Sequence, residues 1–211
     1  MLLSLEKNFI FIHIPKTAGT SITLALRPWC LKPKRTQWRR LLSHLPVRET
    51  PEKAVLRQHD KADWVRRKLP DPLYNGAYKF AVVRNPFDLA VSNYHHLRRS
   101  TTRHQRHRAQ NWDFKTFLRY LERKNRFARV DQTSWISDRR GNLIVDEVLR
   151  FETLADEFNM VVDRLDLPGE TKLPLTNAST PFDYRAHYDD EARSIVRRLY
   201  SRDIERFGYA F

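Results

Sequence analysis

Short, near-continuous apolar runs alternate along the chain with segments whose apolar residues recur at helical spacing. Asn8-Phe-Ile-Phe-Ile-His13 and Tyr78-Lys-Phe-Ala-Val-Val83 are rich in β-formers, the pattern of strands buried on both faces of a parallel sheet. Ile22, Leu24, Ala25 and Leu26 follow the first run as an apolar helical pattern. After the second run comes Arg84-Asn85-Pro86, where Asn85 is placed to cap and Pro86 to occupy the first helical turn. Phe87, Ala90, Val91 and Tyr94 then continue at helical spacing, so a strand is predicted to run straight into a helix. Asp113 is placed to cap a helix carrying Phe114, Phe117, Leu118 and Leu121 on one face. Thr153 with Asp156 opens another, with Leu154, Phe158, Val161 and Leu165. A last helix is predicted from Asp189, with Ala192, Ile195, Val196 and Leu199 as its stripe and Gly208 as its end. Leu143 to Leu149 is a further strand candidate, entered through the turn chemistry of Arg140-Gly141-Asn142. This alternation, with five glycines, no low-complexity linker and no internal repeat, predicts a single α/β domain over residues 1–211.

Composition narrows the class. With 41% hydrophobic residues the chain of 211 can bury one sizeable core, which excludes intrinsic disorder and a collagen-like fold. No stretch approaches the roughly 18 apolar residues a membrane span needs, and no signal peptide or anchor is visible, so a soluble, cytoplasmic protein is expected. One cysteine, Cys30, supports neither an internal disulfide nor a thiolate zinc cluster. The charge changes the picture more. Lys and Arg number 39 against 25 Asp and Glu, a formal +14. Such an excess calls for an anionic partner: nucleic acid, anionic polysaccharide, a membrane surface or a phosphorylated cofactor.

Candidate chemistry is most legible at Ile14-Pro-Lys-Thr-Ala-Gly-Thr-Ser21, between the first predicted strand and its helix. A strand-to-helix turn presents unpaired backbone N–H groups and the positive end of a helix dipole, which together make an anion site. Gly19 allows close approach of an oxygen, Lys16 adds a point charge, and Thr17, Thr20 and Ser21 add hydroxyl donors. The segment is also compatible with an ordinary capped turn. It is not Gly-x-x-x-x-Gly-Lys-Ser/Thr, because the lysine precedes the glycine, which disfavours a kinase or NTPase. Tyr78 to Leu97, YKFAVVRNPFDLAVSNYHHL, places Arg84 at the carboxyl end of a strand and Ser92 two turns into the following helix. Ligands of open parallel sheets bind outside the carboxyl ends of strands.

With both segments in view, the chain resembles the carbohydrate-type sulfotransferases that use 3′-phosphoadenosine 5′-phosphosulfate, a group that includes heparan sulfate 2-O-sulfotransferase and short bacterial proteins. The likeness also covers RQHDKADWVRRKL at 57–69, DQTSWISDRRGNLIVDEVLRFETLADEF at 131–158, LPLTNAS at 173–179 and YDDEARSIVRRLYSRDIERFGYAF at 188–211. Phe87 and Leu89 depart from the family's usual Trp and Arg, and Arg27 to Glu49 matches nothing in it. The resemblance implies a three-layer α/β fold with a central, mostly parallel sheet and a P-loop-like phosphosulfate-binding loop. It implies that Lys16, Thr17, Ala18, Gly19, Thr20 and Ser21 hold the 5′-phosphosulfate, with Lys16 neutralising charge on the bridging oxygen. Arg84 and Ser92 then read the 3′-phosphate, for which a guanidinium suits by donating two parallel hydrogen bonds. No metal is called for, and the acceptor is expected to be a hydroxyl on a glycan or glycolipid, neutral or anionic.

A hydroxyl is a poor nucleophile at neutral pH, so sulfuryl transfer needs a general base. His59 follows the short apolar run Ala54-Val-Leu56 at a plausible strand end and matches the family position for that base. Asp60 would serve as base itself or orient His59. His13 reads as a satisfied core histidine, and His95, His96, His104 and His107 as packing or solvated residues. Arg98 to Arg108, joined by Arg35, Arg39, Arg40, Arg66, Arg67 and Lys68, reads as a solvated face or as a rim attracting an anionic acceptor. Nucleic acid is not expected, since the run lacks interleaved aromatics and no nucleic-acid-binding signature is present. The segment Leu173 to Ser179 would cover the adenosine. The alternative class is a non-catalytic module binding nucleic acid or sulfated glycan through its basic surface.

Overall fold

The computed structural model describes residues 1–33, 36–45, 47–99, 110–125, 130–174 and 183–211. In chain order the elements are β1 (Leu2–Ser4), β2 (Phe9–Ile12), α1 (Gly19–Leu26), α2 (Gln37–Leu42), α3 (Ala62–Lys68), α4 (Asp71–Gly76), β3 (Tyr78–Val83), α5 (Pro86–Arg98), α6 (Phe114–Asn125), α7 (Thr133–Ile136), β4 (Glu147–Arg150), α8 (Leu154–Arg164), α9 (Asp190–Leu199) and α10 (Ser201–Phe207). They fall into two compact units, Met1–Val83 with Trp135–Asn177, and Arg84–Ser134 with Ala178–Phe211.

The first unit is a mixed α/β arrangement around a four-stranded, mostly parallel sheet of order β1-β2-β3-β4. β2 and β3 pair in parallel with Phe11 opposite Phe80, and β3 pairs in parallel with β4, Val82 opposite Leu149. Their alternating side chains Phe9, Phe11, Phe80, Val82 and Leu149 pack with Ile22 and Leu26 of α1 and with Leu154, Phe158 and Val161 of α8. Ile10, Ile12 and Ala81, on the opposite face, are equally buried. Burial on both faces is why the strands read as continuous apolar runs, and each such side chain contributes about 1.5–3 kcal/mol. β1 was not visible as a strand because three residues carry no period; it pairs antiparallel with β2 through Leu3 opposite Ile10.

Three sequence expectations move. The strand expected over Leu143 to Leu149 begins at Glu147, and Leu143 makes only an isolated bridge to Ser137. Ala54-Val-Leu56 forms no strand; Ala54 and Val55 are buried as irregular backbone. Thr153 makes no capping bond to a backbone N–H; its hydroxyl meets Glu157, whose other carboxylate oxygen accepts the Arg150 N–H.

In the second unit, α5 is capped by Asn85, which accepts the Phe87 N–H at 3.0 Å, with Pro86 in the first turn. Asp113 accepts the Thr116 N–H at the start of α6. Phe87, Val91 and Tyr94 of α5, Phe117 and Leu118 of α6, and Ile195 and Val196 of α9 form this unit's core. The last helix divides at the buried Tyr200, and its second half, α10, ends at Gly208 with φ of 64°. The break turns the chain so that Asp203 is fully buried and aimed at the backbone of residues 132 and 133.

Candidate functional site

β2 delivers the chain into a loop of unusual backbone. Lys16 and Ala18 both adopt left-handed φ, 67° and 59°, although neither is glycine. α1 then begins at Gly19 with no capping side chain and no acidic residue in its first turn. Its first intrahelical bond is Ile22 N–H to the Ala18 carbonyl, so Gly19, Thr20 and Ser21 present N–H groups that the helix itself does not use. Thr20 is exposed. Thr17 corrects the sequence reading: its hydroxyl is buried and donates to the Ile14 carbonyl at 3.0 Å, so it braces the loop and its contribution outward is its backbone.

Gly19 has a second cause. A Cβ at this position would fall inside the His13 ring. His13 is buried at the end of β2, and burial pushes its pKa down to about 3. It is not the satisfied core histidine expected: Nδ1 is buried without a hydrogen-bond partner among the described residues.

His59 stands edge-on to His13 with ring centroids 4.7 Å apart, and edge-on to Trp135 at 6.2 Å. Its Nδ1 lies 3.1 Å from the His13 carbonyl oxygen. A carbonyl only accepts, so Nδ1 carries the proton and Nε2 is left with its lone pair. Partial burial lowers the His59 pKa, against the raising effect of that hydrogen bond, and favours the neutral ring. Asp60 is not spent on His59. Its buried carboxylate accepts the Arg57 backbone N–H at 2.8 Å and the Arg57 Nε–H at 2.7 Å, closing the turn that carries His59.

In the second unit Arg84 follows β3 directly. Its guanidinium is paired with Asp88 one turn on, at 2.8 Å from Nε and 2.7 Å from Nη2. Its backbone is held by Gln132, whose Oε1 accepts the Arg84 N–H and whose Nε2 donates to the Arg84 carbonyl, each at 2.8 Å. Asp203 accepts the N–H groups of Gln132 and Thr133 and the Thr133 hydroxyl at 2.7–2.8 Å. Ser92 is half-buried on α5. Asp88, Gln132 and Asp203 escaped the sequence reading because their partners lie four, 48 and about 70 residues away. All three lie within segments of the family likeness, at 78–97, 131–158 and 188–211, with no local feature that marks a role.

The basic residues separate into distinct roles. Arg66, Arg67, Arg139 and Arg140 line a cavity of about 500 Å³ with Asp63 and Asp138. Asp63 is taken by Arg66 and Arg67 at 2.9 and 3.0 Å, and Asp138 accepts the backbone N–H groups of Arg140 and Asn142. Arg139 and Arg140 have no ion pair among the described residues. Both chain segments reach His59: Trp135 meets its ring, and Lys61 stacks its ammonium over Trp135 at 5.7 Å. Lys68 does not belong to a solvated rim. It is fully buried, with Nζ donating to the Val55 carbonyl at 3.2 Å and lying 3.8 Å from Glu49. His95 packs edge-on to His187 at 5.1 Å, and His96 is exposed. Arg35, the side chain of Arg40, Ser100 to Arg108 with His104 and His107, and 175–179 lie outside the described residues. Among the described residues no group of three or more His, Cys, Asp or Glu is placed to hold a metal.

The model of a family described as the sulfotransferase family matches residues 1–210, across both units. No curated protein matches the chain.

Proposed function

The chain belongs to the sulfotransferase family, and from that premise we propose that it is an enzyme transferring a sulfuryl group from 3′-phosphoadenosine 5′-phosphosulfate to a hydroxyl of a carbohydrate. One observation carries the reading. Within the first unit, an uncapped helix start behind Lys16 is joined through the His13 ring to a histidine whose Nε2 is an open acceptor.

The residues fit the donor's anionic end. The N–H groups of Gly19, Thr20 and Ser21 and the Lys16 ammonium hold the 5′-phosphosulfate, Ala18 and Thr17 through their backbone, and Thr20 and Ser21 through their hydroxyls. Bound there, the donor supplies the sulfuryl group. Lys16 balances the charge that gathers on the oxygen bridging phosphorus and sulfur. His59 Nε2 takes the proton of the acceptor hydroxyl as that oxygen attacks, and the Nδ1 bond to the His13 carbonyl stabilises the imidazolium formed. Arg84, its guanidinium paired with Asp88 and its backbone held by Gln132, reads the 3′-phosphate with Ser92. The cavity lined by Arg66, Arg67, Arg139 and Arg140 supports an acceptor that bears negative charge.

Thermal-shift titration tests the donor assignment. The protein is melted with 3′-phosphoadenosine 5′-phosphate, ADP and ATP in parallel, and again as Arg84→Ala. A ligand at 100 times its Kd stabilises by about 2.7 kcal/mol. The expected result is stabilisation by the 3′-phosphorylated nucleotide alone, with that preference lost in Arg84→Ala. Stabilisation by a heparin fragment or an oligonucleotide and by none of the three nucleotides overturns the reading.

A further inference from the structure

Arg27 to Glu49, the segment that matches nothing in the family likeness, carries the most anomalous surface of the first unit. α2 is capped by Thr36, which accepts the Arg39 N–H. Ser43, just past its end, is 2% exposed, and the Leu42 carbonyl faces inward toward the Lys68 ammonium. Trp38 and Leu41, at i and i+3 of α2, are 69 and 56% exposed, and Leu45 and Val47, in the chain just past the helix, are 47 and 46% exposed. Side chains of this size are not left together in water without an occupant.

Charge says which occupant. Across Arg27 to Glu49 the sequence holds seven Lys or Arg and one acidic residue, Glu49, which lies 3.8 Å from the buried Lys68 ammonium. Among the described residues Arg27 and Lys32 are exposed, and Arg48 is paired with the exposed Asp71. A protein partner that covers Trp and Leu has no need of such one-sided flanks. An interface of lipid headgroups does: it takes Trp and Leu at the acyl boundary and basic side chains at the phosphates. We propose that this face docks the protein on the surface of a bilayer containing anionic lipids, with Trp38, Leu41 and Leu45 seated in the interface. The association is peripheral, since no helix among the described residues is long and apolar enough to cross a membrane. It stands independently of the sulfuryl-transfer reading, because its readout is vesicle binding.

The full chain is sedimented with vesicles of phosphatidylcholine alone and of phosphatidylcholine with about 30 mol % phosphatidylglycerol, at about 0.15 M salt. Partitioning onto the anionic vesicles is expected to exceed that onto the neutral ones about ten-fold or more, and Trp38→Ser with Leu41→Ser is expected to lower it about ten-fold. Leu41→Lys separates insertion from adsorption: it adds attraction to the anionic surface yet is expected to weaken binding, because the inserted side chain is gone. Met160→Ser, which removes an exposed apolar residue of α8, is expected to bind as the wild type. Melting curves of the variants confirm that each is folded. The proposal is overturned if the wild type stays in the supernatant, or if Leu41→Lys binds at least as tightly as the wild type. It is equally overturned if sedimentation velocity shows the wild type pairing with a second copy through this face and only that pairing is lost in the double variant.

Discussion

Gly19 and His13 occupy each other's space, so the first residue of α1 is read by a ring six positions upstream. Gly19→Ala is expected to force the ring or the loop aside, costing about 1–3 kcal/mol in a urea titration and weakening nucleotide binding with it. An unchanged midpoint would show that the ring moves freely. His59→Ala is expected to lower turnover about 100-fold or more, and activity within a few-fold of wild type removes it as the base. Because burial lowers its pKa, the base form of His59 persists as pH falls through the ordinary imidazole value of about 6.5. The acidic limb of the rate profile is therefore expected below that value, and a limb above it would contradict the neutral ring. The glycine, lysine and threonines of the loop suggested an anion site by their chemical types alone. The inward turn of the Thr17 hydroxyl was not, since it depends on where the Ile14 carbonyl points.

At the scale of elements, the strands and amphipathic helices followed their periods, and the errors sit where period is absent or where capping is shared. β1 and the irregular run through Ala54 and Val55 are too short to show a period. The break at Tyr200 is set by what α10 must reach. Asp203, on α10, meets the backbone at the start of α7, and Gln132 beside it grips Arg84 at the entry to α5. Asp203→Ala would leave three buried donors unpaired, and a loss of about 3–5 kcal/mol is expected by denaturant titration. Gln132→Ala removes both bonds to the Arg84 backbone. It is expected to reduce the preference for the 3′-phosphorylated nucleotide over ADP about ten-fold; a lowered melting temperature with the preference intact would make Gln132 a structural residue only.

Across the whole molecule, acid sensitivity follows from its histidines. His13, His59, His95 and His187 all have pKa values lowered by burial. The unfolded chain therefore binds more protons than the folded one, and stability falls as pH drops below the unfolded value of about 6.5. For His13 the loss continues to about pH 3, at a slope approaching about 1.4 kcal/mol per pH unit. Urea midpoints at pH 7 and pH 5 are expected to differ, less so in His13→Gln; equal slopes would assign the effect to other groups. The sequence by itself determined the α/β class, the two apolar strands with their following loops and the Asn85 cap, because each depends on neighbours within a few positions. Only the tertiary structure decided that Lys68 is buried, that Gln132 and Asp203 stand behind Arg84, and that Trp38, Leu41 and Leu45 face outward. Hydrogen bonds and burial between distant residues are set by which segments pack together, and no local pattern encodes that choice.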